Sequence, residues 1–175
     1  MTLFPSLTRL AAMRIPFLLL FLFSLDAHAV DGFSVEDTLS HQEPIPASVS
    51  SELSRETDFK GSGCKEKNIS EALEATKVNI SSRVHEILIK PKAWCLCGAY
   101  SCPIWIYQLN NKSIKRIWST PGTNGVDILD ERTHGYRQIK ESSGSAGHSY
   151  EAIWAWDGVK YKIVKEKSTT AGKEK

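Results

Sequence analysis

Three of the four cysteines crowd into Trp94-Cys95-Leu96-Cys97-Gly98-Ala99-Tyr100-Ser101-Cys102, and the fourth, Cys64, follows Gly61-Ser62-Gly63. Three chemistries use such a set. A thiolate metal site would read Cys-x-Cys-x4-Cys plus Cys64, but zinc sites favour pairs spaced Cys-x2–4-Cys. A cysteine nucleophile at Cys64 needs a base or a nearby positive charge, and only the distant His134 or His148 offers one. Disulfides need an even count, and the count is even. Cys95 and Cys97 stand at i and i+2, so on a strand they point the same way and make poor mutual partners. Cys97 and Cys102 enclose four residues and can close a hairpin neck, which leaves Cys95 for Cys64. The alternative of Cys95–Cys102 with Cys64–Cys97 stays open, because four cysteines allow three connectivities. The reading is therefore two disulfides, Cys97–Cys102 and Cys64–Cys95, with no metal, no cofactor and no catalytic residues.

The remaining chemistry-bearing residues are scattered. His41, His85, His134 and His148 have no neighbours that spell a triad or a metal pair. Asp127, Asp130 and Glu131 read as a solvated run after a strand, and no glycine-rich phosphate loop opens a helix. The stretch Ser142 to Tyr150 is different: a Ser/Gly-rich loop with one histidine, set between strands. Loops carried on a rigid scaffold are where binding residues collect, and Ser143, Gly144, Ser145, His148 and Tyr150 are the candidates for contact with a partner.

These residues need elements to hold them. Arg9 and Arg14, the apolar run Ile15 to Leu25 and Ala27-His28-Ala29 predict an export signal over residues 1–29, cleaved after Ala29. The chain is then expected in the periplasm or secreted, where disulfides persist, with no stable membrane insertion. Beyond the signal, 20 basic and 19 acidic residues are interspersed, which argues against nucleic acid as a partner. Residues 30–60 read as a polar flexible lead-in broken by Pro44 and Pro46. Asn68 with Glu71 three residues on predicts a capped short helix over about 68–77, the single expected helix.

From residue 83 the pattern turns to strands. Val84 to Lys90, Ala93 to Cys97, Pro103 to Leu109, Lys112 to Trp118, Val126 to Leu129 and Tyr136 to Lys140 are expected in sequence, with a loop over 120–125. Tyr150 to Trp156 and Val159 to Lys165 flank Asp157-Gly158, a strong hairpin signal. The expected domain is 61–165, mainly β with one short helix, built as antiparallel hairpin or meander sheets and stapled by disulfides; 166–175 reads as a disordered tail. Ile104 to Ile117 and Ile153 to Val164 form a faint repeat, each an aromatic strand, a turn and a lysine-rich strand.

Cys97-Gly98 through Cys102, with the terminal Trp156-Asp157-Gly158-Val159-Lys160-Tyr161, resembles a group of small exported bacterial proteins. Their marks are a C-G-x-x-x-C hairpin and a terminal W-D-G-x-x-Y hairpin, and some are distantly similar to FG-GAP propeller repeats. The resemblance covers about residues 83–164 and implies fold more than activity. The chain lacks an Asp-x-Asp-x-Asp-Gly loop, so the resemblance brings no calcium. Ser143-Gly144 and Tyr150 also resemble, with a different spacing, the Ser-Gly…Tyr loops with which periplasmic lysozyme inhibitors block their enzyme. The expected function is a non-enzymatic module that binds another envelope protein, as inhibitor of or immunity protein against a cell-wall hydrolase. The alternatives are an envelope glycan-binding or structural module that uses its tryptophans, and a cysteine-dependent hydrolase.

Overall fold

The computed structural model describes residues 31–82, 84–110 and 113–170. The export signal, its cleavage after Ala29, and residues 171–175 lie outside the described residues. The chain is mainly β, in two antiparallel sheets. Strands β2 (Leu73–Val78), β3 (His85–Pro91), β4 (Cys102–Asn110) and β5 (Ser113–Thr123) form a four-stranded meander in that order. Strands β6 (Gly125–Thr133), β7 (Tyr136–Ser145), β8 (His148–Trp156) and β9 (Tyr161–Thr170) form a second meander. The short β1 (Asp31–Ser34) pairs with the outer edge of β6.

Period-2 alternation gives β3 and β4 two buried faces. Leu88, Ile104 and Ile106 point toward the second sheet and meet Ile128, Ile139, Trp156 and Tyr161 there. Ile87, Ile89, Trp105 and Tyr107 point the other way, onto helix α1 (Ala47–Glu56) and its neighbours. The architecture is therefore three layers: helix, four-stranded sheet, five-stranded sheet. β5 delivers the chain from one sheet to the other through Asn124, whose neighbours Thr123 and Gly125 already belong to strands.

Helix α1 overturns the reading of 30–60 as a flexible lead-in. It carries just two large apolar residues that bury, Val49 and Leu53, one turn apart. The rest of its attachment is polar, and apolar periodicity does not reveal it. Tyr107 donates to Glu52 at 3.0 Å, Trp105 Nε1 donates to Glu56 at 3.1 Å, and Arg116 bridges both carboxylates. The segment before the helix is anchored as well. Glu74 and Lys90 form a buried ion pair at 2.7 Å, each side chain 2% exposed. Glu74 accepts from the Leu39 backbone N–H and Lys90 donates to the Val35 carbonyl.

The expected helix over 68–77 shrinks to one turn, α2 (Ile69–Ala72). Its cap is as expected: the Asn68 side chain accepts from the Glu71 N–H and donates to the Glu71 carboxylate at 2.7 Å. The chain then switches to β2, because Leu73 to Val78 can pair with β3 along its whole length and bury both faces. Four further readings change. Trp94–Leu96 is a 3-10 turn, not a strand, so Cys97–Cys102 closes a loop into β4 and not a hairpin neck. β5 runs through Pro121-Gly122, at the sheet's edge where a missing donor costs little. Residues 142–149 are a tight β-hairpin. The tail expected to be disordered from 166 is strand as far as Thr170.

Candidate binding surface

The structure pairs Cys64 with Cys95 (Cα–Cα 5.2 Å) and Cys97 with Cys102 (4.3 Å). The first ties the turn before α2 to the 3-10 turn. The second fixes the entry to β4. Cys64, Cys95 and the Glu66 carboxylate lie together, within 4.8 Å of one another. Both sulfurs are bonded to each other, so one carboxylate is the ligand that cluster can offer. No cysteine is free, which removes the Cys64 nucleophile.

The partner-binding candidates fall on one hairpin. β7 and β8 turn at Ala146-Gly147, where Gly147 has φ +83, the left-handed region glycine enters without strain. Ser145 stands opposite His148, Gly144 opposite Ser149, and Ser143 opposite Tyr150. Alternation then puts Ser143, Ser145, His148 and Tyr150 on one face, with Ser168 and Thr170 of β9 beside them. Gly144 faces the other way, and a Cβ there would stand 3.0 Å from the His148 carbonyl oxygen. Ser145, His148 and Ser149 are exposed, and Ser143 and Tyr150 half-buried. Burial first, then the Glu166 and Glu141 carboxylates, raise the Tyr150 phenol. His148 Nδ1 meets the Thr170 hydroxyl at 3.2 Å, not a carboxylate that would orient it as a base.

The root of this hairpin is clamped. Asn124 donates its backbone N–H to Ser142 at 2.9 Å and its Nδ2 to the Tyr100 carbonyl at 2.8 Å. Its Oδ1 accepts from the Gly144 N–H at 2.5 Å, and Thr123 Oγ1 adds a bond to the Ser142 carbonyl at 2.7 Å. One side chain thus joins the hairpin, the corner between sheets and the disulfide loop. That loop carries Tyr100, 66% exposed, and the turn before it carries Trp94, 58% exposed. Sequence reading missed Asn124 and Tyr100 as parts of this surface. The signal was Thr123-Asn124-Gly125 itself, which looks like ordinary turn chemistry until the two flanking strands are seen to belong to different sheets.

The other tryptophans are occupied inside. Trp105, Trp118 and Trp156 are buried and Trp154 is partly so. Trp118 meets Trp154 edge-on at 6.0 Å, and Trp154 Nε1 donates to Glu141 at 2.9 Å. Glu86, fully buried, accepts from Ser81 and Gln108 through Oε1 alone. His85 faces Glu43 at 3.9 Å, and His134 sits in a turn at φ +52.

No family model matches the chain. Comparison with curated proteins and with solved structures likewise finds nothing similar.

Proposed function

We propose that the chain is a non-enzymatic, exported protein-binding module of the bacterial envelope, an inhibitor of or immunity protein against a cell-wall hydrolase. The observation that carries this reading is the β7–β8 hairpin: an exposed polar end with one histidine, clamped at its root by Asn124 to a disulfide-closed loop. A preordered protrusion loses little entropy on entering a partner's cleft. Tyr100, 66% exposed and tied to the hairpin through Asn124, supplies an aromatic anchor of the kind in which binding energy concentrates. The export pattern, the two disulfides and the resemblance to small exported bacterial proteins support an oxidising compartment. The glycan-binding alternative draws less support, since four of the five tryptophans serve the core and leave Trp94 for stacking. The test is a titration of the exported chain against purified glycan-cleaving cell-wall hydrolases. One of them should be slowed near stoichiometric concentration, and H148A/Y150A should weaken that inhibition by about thirtyfold, the effect of losing one binding hot spot. A panel in which no hydrolase is bound or slowed would overturn the reading.

A further inference from the structure

Strand β9 has a property that the core does not explain. Tyr161 is buried, but every residue from Lys162 to Thr170 is exposed. A register shift opposite Ile153 and Trp154 sets Val164 out of line and divides the strand. Beyond it, Lys165 to Thr170 remains a regular ladder against Ile153 to His148. This segment buries none of its own side chains, contains no proline or glycine, and closes the five-stranded sheet with one unpaired edge among the described residues. Edge strands are normally kept short, bulged or lined with lysine, because their open N–H and C=O groups recruit other strands, and lysines turn away strands of like charge. Here six residues are held open.

Their charges say what they recruit. Lys165 and Lys167 stand on one face, next to Lys162. Among the described residues neither Lys165 nor Lys167 has an ion pair, whereas Lys162 is paired with Asp157 at 2.7 Å. A second copy of the chain is a poor partner in the registers centred on the charged residues. In a two-fold antiparallel pairing of β9 centred on residue 165 or 167, a lysine faces itself. Centred on 166, Lys165 faces Lys167 and Glu166 faces Glu166. Like charges directly opposite destabilise a ladder, and opposite charges stabilise it. We infer that the outer edge of β9, from Lys165 to Thr170, is a docking edge for an extended acidic segment of a partner protein, which adds to the sheet as a sixth strand. Such a segment carries Asp or Glu at i and i+2 opposite the two lysines, and small hydroxyl residues opposite Ser168 and Thr170. Backbone bonds supply affinity and the alternate side chains supply selection.

This docking edge adjoins the hairpin end at Thr170 but uses the outer backbone groups of β9, and it stands if the inhibitor reading fails. The experiment is amide hydrogen exchange on the exported chain with three synthetic peptides: one alternating Glu and Thr, its Lys-for-Glu counterpart, and the acidic peptide N-methylated along one edge. The acidic peptide should slow exchange of the 165–170 amides about tenfold, and the N-methylated form should not. K165E/K167E should weaken the acidic peptide about tenfold and favour the basic one, since two cross-strand charge pairs change sign. These residues bury nothing, so the variant should fold. Absence of binding, binding that leaves those amides unprotected, equal binding of the N-methylated peptide, or a β9-mediated dimer in sedimentation would each overturn the proposal.

Discussion

At the scale of single residues, the buried polar groups hold the layers in register. Lys90 and Glu74 are both out of water, so each is tolerable because of the other. Replacing Lys90 by Met leaves Glu74 with the Leu39 N–H and no cation. Urea unfolding should show a loss of about 3–5 kcal/mol for K90M, with most of it recovered in E74L/K90M. A loss under 1 kcal/mol for K90M would mean that the pair does not anchor residues 35–39. Two buried tyrosines contribute to the loss of stability at alkaline pH. Burial, then the nearby Glu86 carboxylate, raise the Tyr161 phenol well above its usual value, and its hydroxyl donates to the Arg137 carbonyl at 2.6 Å. Burial and the hydrogen bond to Glu52 raise Tyr107 in the same direction. The folded chain thus holds these protons more tightly than the unfolded chain does. The resulting stability is complete below about pH 10 and is lost as pH rises through the folded values. In Y161F the free energy of unfolding should fall by about 1 kcal/mol at neutral pH and decline less steeply above pH 10. An unchanged alkaline slope would show that Tyr161 is not a source of it.

At the scale of elements, what was legible in the sequence was whatever depends on local pattern. Asn68 and Glu71 announced the start of α2, and Val84 to Lys90 announced β3. What depends on long-range contact was not. The switch from α2 to β2 at Leu73 is decided by β3, which lies twelve residues downstream and pairs with the whole segment. Helix α1 was hidden because its anchors are Glu52 and Glu56, carboxylates whose partners lie on β4 and β5. The β7–β8 hairpin read as a loop because serine and glycine outnumber apolar residues there. It is a strand pair because Asn124 and the β9 ladder hold its backbone. Asn124 is therefore the test of the clamp. N124A should leave global stability within about 1 kcal/mol of the parent while amide exchange in 142–150 accelerates at least about tenfold. Exchange rates unchanged in that segment would contradict a hairpin held from its root.

At the scale of the whole molecule, two disulfides staple a body of three layers, helix, four-stranded sheet and five-stranded sheet. The stapled loop, the corner at Asn124 and the root of the hairpin are bonded to one another, and Cys64 is bonded to Cys95. The mainly β, disulfide-stapled architecture could be read from four cysteines, frequent turn residues and the Asp157-Gly158 hairpin. The binding end could not, because Tyr100, Asn124 and Gly144 become neighbours only when two sheets share one chain at Thr123–Gly125. The most direct test is cross-linking in the envelope, with a photoreactive residue at position 148 and, as control, at the exposed Ser51 on helix α1. A discrete adduct with a cell-wall hydrolase at position 148, absent at position 51, is the expected result. No adduct at position 148, or the same adducts at both positions, would contradict the proposed function.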